Sequence, residues 1–271
     1  MRTKVMAANW KMYKTRDQTR DFFLDFLSEV AGHTRDEIVI CPPYVDLGAA
    51  VQAVRNSNVA VGSQNVHWKN EGAFTGEISA SMLLALGVTH VIVGHSERRQ
   101  YFGETDDTVN LRLKAALEAG LSAICCVGEV LEEREAGLTD DVLRRQCVRA
   151  FHAISAKKAA HMVVAYEPVW AIGTGKTATP ELAAAAHAVI RREATEIFGE
   201  EGSQDDRRLR AGVGHRHGQN SDSRTGGGGA RGDPAGGERS FWRRVCRQPA
   251  HSLRRVGKAG QRRRAHGAGG D

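Results

Sequence analysis

Three short polar segments carry side chains that could move protons or bind an anion. They are Asn9-Trp10-Lys11, Gly94-His95-Ser96-Glu97-Arg98-Arg99 and Tyr166-Glu167-Pro168-Val169-Trp170. Taken singly, such a lysine is usually solvated, such a histidine usually structural and such a glutamate usually an ion-pair partner. Together, a lysine, a histidine that can open a helix and a carboxylate suit proton transfer beside a carbonyl group.

The segment after Glu167 has the composition of a lid over a binding site. Two glycines at its centre, Gly173 and Gly175, expose backbone amides that suit a phosphate, and the stiffer residues on either side could act as hinges. The alternative is a nucleotide-binding P-loop, because Gly175-Lys176-Thr177 matches the end of that motif. The motif also requires a glycine five residues before Gly175, where this chain has Trp170. The P-loop interpretation therefore fails.

Each polar segment follows an apolar run that is typical of a parallel strand buried on both faces. Helical periodicity separates the runs, over residues 16–31 and 140–155 for example, and Thr179-Pro180-Glu181 is a helix start. This alternation predicts an α/β fold, although periodicity alone does not distinguish a doubly wound sheet from an incomplete barrel. The predicted strands are Val5–Ala8, Ile38–Cys41, Val59–Gly62, His90–Val93, Ala123–Val127 and Met162–Ala165.

The formal net charge of +6 is unevenly distributed along the 271 residues. Residues 211–271 hold 13 Lys and Arg against 4 Asp and Glu, whereas residues 1–210 hold 25 against 28. A basic chain suggests an acidic partner such as nucleic acid, but here the excess of positive charge belongs to the tail alone.

Composition also predicts the class of protein and its compartment. The N-terminus lacks the apolar region of a signal peptide, and no apolar run approaches the roughly 18 to 20 residues that span a bilayer. We therefore expect a soluble cytoplasmic enzyme without a membrane partner. The five cysteines form no regular framework, which favours reduced thiols over disulfides or metal ligands.

The three polar segments closely resemble, in order and spacing, the signature segments of the triosephosphate isomerase family. Gln64-Asn65 and residues 72–77 resemble that family's long third loop, and Cys126-Val127-Gly128-Glu129 resembles the segment after its fifth strand. The resemblance covers residues 4 to about 206. It implies a TIM-type (β/α)8 barrel, of which about six βα units are recognisable in a domain spanning residues 1–206.

The resemblance implies that the enzyme interconverts dihydroxyacetone phosphate and glyceraldehyde 3-phosphate through an enediolate, in glycolysis and gluconeogenesis. No cofactor and no metal are implied. Glu167 would be the base, His95 the neutral electrophile and Lys11 the cation beside the phosphate and the enediolate. Asn9 would orient the substrate, and backbone amides near Gly173 would hold its phosphate. The third loop, around Thr75, implies a homodimer, because in the family it inserts into a partner subunit.

The resemblance stops where the family has two further strands. Their loops carry YGGS and GGAS, and neither string occurs here. Residues 211–271 instead contain 15 glycines and 12 arginines, which predicts a disordered Gly/Arg-rich tail over 207–271. An alternative function is therefore a catalytically dead relic whose tail binds anions or nucleic acid non-specifically. Within this alternative, the arginine-glycine tail could be an RNA-binding segment.

A third interpretation of the tail is an out-of-frame copy of an earlier segment. Residues 207–223 can be written in codons that, read one base later, encode VAYEPVWAIGTGKTAT, which is identical to Val164–Thr179. Residues 240–259 likewise permit a shifted translation that includes the missing YGGS. We expect little or no isomerase activity from the chain as written, because a barrel without its last two strands cannot close.

Overall fold

The computed structural model describes residues 4–172, 177–204 and 210–213. Within these residues, seven strands form one parallel sheet in which neighbouring strands follow chain order. The predicted parallel α/β architecture is confirmed. The strands are β1 Lys4–Asn9, β2 Asp36–Cys41, β3 Val59–Ser63, β4 His90–Val93, β5 Ser122–Val127, β6 Met162–Tyr166 and β7 Arg210–Val213.

Helices connect successive strands, as a parallel sheet requires. The last helix, α9, is interrupted at Gly199, where the backbone is not helical. No helix in the described part of the chain is long and apolar enough to cross a membrane. The helices of that part are α1 Arg16–Val30, α2 Leu47–Ala53, α3 Ala80–Leu86, α4 Ser96–Tyr101, α5 Asp106–Ala119, α6 Leu131–Glu135, α7 Thr139–Ala150, α8 Ala156–Ala159 and α9 Pro180–Gln204.

Local sequence signals explain where these helices begin and end. α1 starts after Thr15, whose backbone N–H is bound by the Gln18 side chain at 2.9 Å. α9 starts at the predicted proline, and Thr179 Oγ1 accepts a hydrogen bond from the Leu182 N–H at 3.3 Å. α7 ends at Ala150, earlier than the predicted residue 155. The Asn110 amide donates there to the carbonyl oxygens of Ala150 and His152, so the chain turns instead of continuing as helix.

The concave face of the sheet encloses an apolar cluster, and its other face is covered by the helices. Because both faces are buried, the strands appear in the sequence as continuous apolar runs rather than as alternating ones. The cluster consists of Val39, Cys41, Ile92, Ile124 and Cys126, with Val5, Ala7, Ala60, Val163 and Ala165 packed against it.

A seventh strand is present where the composition of the tail predicts irregular chain. β7 pairs in parallel with β6, with Val213 opposite Tyr166, so that prediction is wrong for residues 210–213. Strand pairing joins backbone groups, and an edge strand offers them to any extended segment. Such pairing does not require large apolar side chains, so the composition of the tail gives no sign of it. Residues 207–209 and 214–271 lie outside the described residues.

Candidate active site

The predicted site residues lie at the carboxyl ends of three strands, which meet at one edge of a parallel sheet. Asn9 is the last residue of β1 and Glu167 directly follows β6. His95 lies two residues after the end of β4, immediately before α4. The structure therefore brings residues that are far apart in the chain to the same edge.

Glu167 and His95 are in direct contact. His95 Nε2 lies 3.1 Å from Glu167 Oε1, and Glu167 Oε2 accepts a hydrogen bond from the Ser96 N–H at 2.9 Å. Glu167 and His95 are only 5% and 8% exposed. The carboxylate is thus buried, with each oxygen beside a donor, and within reach of the imidazole.

The position of His95 at the start of α4 determines which ring nitrogen can carry the proton. Nδ1 accepts a hydrogen bond from the Glu97 N–H at 3.2 Å, so it acts as the N-cap of that helix. A nitrogen that accepts a hydrogen bond has no proton of its own, and the proton of the neutral ring is therefore on Nε2. Nε2 faces Glu167 at the carboxyl edge of the sheet, so its N–H can act as a hydrogen-bond donor there.

Lys11 adopts a backbone conformation that only its surroundings make possible. Its φ is 55°, in the left-handed region, where a residue other than glycine costs about 1–3 kcal/mol. Its N–H donates to Asn9 Oδ1 at 3.0 Å and its carbonyl accepts from Gln64 Nε2 at 2.9 Å. Its Nζ lies 2.6 Å from Glu97 Oε1. These contacts fix the cation next to the start of α4.

The end of β5 packs against the backbone and side chain of Glu167. Glu167 N donates to the Val127 carbonyl at 2.8 Å. A Cβ atom at Gly128 would collide with the Glu167 carbonyl oxygen, so only glycine fits there. Burial and the neighbouring Glu167 raise the pKa of the Cys126 thiol well above its usual value. The thiol therefore stays protonated beside the carboxylate.

Similarity to known proteins extends over most of the chain. A family model described as triosephosphate isomerase matches residues 4–219. The triosephosphate isomerase of Solibacter usitatus is 57% identical over 201 residues, which cover 74% of this chain and 81% of the relative. That of Geobacter metallireducens is 50% identical over 198 residues, or 73% and 79% of the two chains. The chain belongs to the triosephosphate isomerase family. The resemblance inferred from the three segments is confirmed, and the family match continues past residue 206 to residue 219.

The triosephosphate isomerase site of this chain includes two carboxylates to which the sequence motifs assigned no role. One is Glu97, the partner of Lys11. The other is Glu129, which is fully buried and accepts hydrogen bonds from Tyr166 OH at 2.9 Å and Trp170 Nε1 at 2.9 Å. The sequence signal for Glu129 was the pair of side-chain donors, Tyr166 and Trp170, on either side of Glu167.

Arg134 is the third side chain, after Tyr166 and Trp170, that contacts the Glu129 carboxylate. Its Nη1 lies 3.0 Å from Glu129 Oε1, and its guanidinium lies 4.3 Å from the centre of the Trp170 ring. The start of the predicted lid is therefore fixed to α6 by a buried charge and a cation–π contact. Gly173, the predicted phosphate contact of the lid, lies outside the described residues.

The segment that resembles the family's third loop is exposed to solvent. Residues 71–76, including Thr75, are exposed. Gly72 and Gly76 bound this segment with positive φ values of 138° and 90°. In the described portion of the chain, no group of three or more His, Cys, Asp or Glu side chains is arranged to hold a metal ion.

Proposed function

We propose that this site interconverts dihydroxyacetone phosphate and glyceraldehyde 3-phosphate, with Glu167 as the base and His95 as the electrophile. The observation that carries the proposal is the 3.1 Å contact between His95 Nε2 and Glu167 Oε1. It brings a buried carboxylate and a neutral N–H donor together at the edge where a barrel enzyme binds its substrate.

The chemistry follows from these two groups. Glu167 removes a proton from the carbon that bears the substrate hydroxyl, and His95 Nε2–H donates to the carbonyl oxygen. The resulting enediolate has its charge stabilised by that hydrogen bond and by Lys11. Glu167 then returns the proton to the adjacent carbon, while His95 shuttles a proton between the two oxygens. Because both Glu167 oxygens already face donors, substrate binding has to displace at least one of these contacts.

The other site residues bind and orient the substrate. Lys11 supplies the positive charge for the phosphate, with Glu97 holding its Nζ in place. Asn9 fixes the Lys11 backbone through its side-chain oxygen and directs the substrate. Gly173 completes the phosphate site through its backbone amide when the lid excludes water. The substrate is thus a small phosphorylated triose, and the reaction takes place in the cytoplasm without a cofactor.

The active assembly is a homodimer formed through the Thr75 loop. Large apolar side chains are exposed in the segments that follow β1, β2 and β4, including Met12 at 93%, Val45 at 85% and Phe102 at 68%. Apolar surface of this extent favours burial against another protein surface, and a second copy offers a self-complementary one.

We further assign residues 1–206 to an incomplete isomerase domain and residues 207–271 to an out-of-frame copy of the sixth-strand region. The short strand β7 does not require large apolar residues, so it is compatible with such an origin. The relatives above are all named triosephosphate isomerases, and none favours a relic that binds nucleic acid. The coding DNA of codons 200–271 tests the assignment: a second copy of codons 164–179, shifted by one base within codons 207–223, supports it, and an unrelated DNA sequence contradicts it.

Proton abstraction provides a sensitive test of the activity. The full-length chain is incubated with dihydroxyacetone phosphate in D2O, and deuterium at the reacting carbon is followed by NMR. A second chain, the completed chain, has ordinary seventh and eighth βα units in frame after residue 206. We expect exchange in the second chain, little or none in the chain as written, and none above background in the Glu167→Gln variant of the second chain. Absence of exchange in the completed chain would refute the function.

A further inference from the structure

Arg99 contacts the backbone next to His95, and the mechanism above assigns it no role. Its Nε donates to the Gly94 carbonyl oxygen at 2.8 Å, and its Nη2 lies 3.4 Å from the Cys126 carbonyl oxygen. Its Nη1 pairs with Asp106 Oδ1 at 2.5 Å. One planar cation therefore contacts the ends of two neighbouring strands and is held from the first turn of α5.

The two carbonyl groups belong to the peptides that lead into the catalytic pair. The Gly94 carbonyl is part of the peptide bond to His95. The Cys126 carbonyl is part of the peptide bond to Val127, whose own carbonyl accepts the N–H of Glu167. Arg99 thus connects the backbone that carries the electrophile with the backbone against which the base is packed.

The backbone turn at Gly94 leaves little room for the Arg99 guanidinium group to move. Gly94 has a φ of 74°, and a Cβ there would lie 3.2 Å from Arg99 Nη2 and 3.1 Å from Val109. The Arg99 side chain is only 18% exposed. The second oxygen of Asp106 lies 3.3 Å from Arg145, which is 55% exposed. The ion pair is thus mostly buried in protein, with the more exposed Arg145 on its outer side.

We propose that Arg99 is a positioning residue that sets the spacing between His95 and Glu167 by tying the ends of β4 and β5 together. The inference rests on the proposed roles of those two residues. An arginine suits this task because its rigid fork donates in several fixed directions at once. A lysine has the charge but not the fork, and it cannot reach Asp106 and both carbonyl oxygens with the same geometry.

The test combines a spectroscopic measurement with kinetics. Variants Arg99→Lys, Arg99→Met and Asp106→Asn are made in the full-length chain and in the completed chain. The ring nitrogens of His95 are observed by ¹⁵N NMR in both. We expect the Nε2–H signal to move or broaden in all three variants, and kcat of the completed chain to fall by roughly tenfold to a hundredfold, since misplacement by about 1 Å has that effect. KM should change far less than kcat, because no contact to the phosphate is lost.

Arg145→Met is the matched control, because it removes a positive charge from the same carboxylate without touching the strand ends. It should leave the His95 signal and kcat unchanged. An equal loss of kcat in Arg145→Met and Arg99→Lys would overturn the proposal in favour of a general charge effect. An unchanged His95 signal and kcat in Arg99→Lys would also overturn it. If Arg99→Met does not fold, the other two variants decide the outcome.

Failure of the isomerase assignment gives a different result. In that case the completed chain shows no exchange with dihydroxyacetone phosphate even with Arg99 intact, while the NMR signal of His95 still reports whether Arg99 positions the ring. Addition of guanidinium chloride to Arg99→Ala gives one further check. We expect partial recovery of the His95 signal. If the signal does not recover, the result contradicts the proposal that the guanidinium group links the Gly94 and Cys126 carbonyl groups.

Discussion

Replacement of Glu167 by glutamine should separate the chemistry of the site from its stability. In the chain completed in frame, we expect kcat of Glu167→Gln to fall by roughly two to four orders of magnitude, the usual contribution of a general base. That loss corresponds to about 3–5 kcal/mol in the activation barrier. The side chain keeps its size, and the amide cannot accept a proton from carbon.

The hydrogen bonds around Glu167 give the expected cost in stability. Its two oxygens face two donors, Ser96 N–H and His95 Nε2, whereas glutamine has one acceptor oxygen. The imidazole cannot relieve the conflict by moving its proton, because Nδ1 already accepts from the Glu97 N–H. One donor therefore loses its acceptor, at about 1–3 kcal/mol. Removal of a buried charge offsets part of this cost, so the protein should still fold.

A coupled assay with glyceraldehyde 3-phosphate measures kcat and KM, and thermal unfolding checks the fold. Glu167→Asp is the matched variant, because it keeps the charge and withdraws the carboxylate by about 1.5 Å, one carbon–carbon bond. Its activity should lie between that of the parent and that of Glu167→Gln. If Glu167→Gln keeps more than about a tenth of the parent kcat, well above the usual loss of a base, another group takes the proton.

Three further predictions concern the tail, the dimer and pH. The chain as written should turn over glyceraldehyde 3-phosphate far more slowly than the completed chain, because it lacks the YGGS and GGAS loops of the family's last two strands; equal rates in the coupled assay would show that residues 207–271 support catalysis. Thr75→Arg in the completed chain should produce monomers in sedimentation experiments and lower the activity, whereas a fully active monomer would contradict the role of this loop. Burial raises the pKa of Asp46, an effect that the Thr19 hydroxyl partly opposes. The stability that this raised pKa contributes is present below the ordinary aspartate pKa and is lost as pH rises through the raised value. Asp46→Asn should therefore raise Tm more at pH 8 than at pH 4, and an equal shift at both would show that Asp46 does not titrate differently on folding.

Short-range signals were sufficient for much of the fold. The run His90–Val93 was predicted as a strand and is β4 with the same bounds. The start of α9 at Pro180 followed from the Thr-Pro-Glu signal alone. Polar segments directly follow the predicted parallel strands, whose carboxyl ends lie at one edge of a sheet, and His95 and Glu167 meet there. These features depend on neighbours within a few residues, so a single sequence records them.

Only the tertiary structure decided which distant groups meet inside the sheet. The contacts between Lys11 and Glu97, and between Glu129 and Trp170, join residues 86 and 41 positions apart. Their partners depend on how the sheet curves and on the strand register, which no local pattern specifies. The strand β7 was missed for a related reason, because backbone pairing needs only an available edge and an extended segment. Sequence thus determined six of the strands and the chemical groups at their ends, while the tertiary structure determined the order of the strands in the sheet and the distances between those groups.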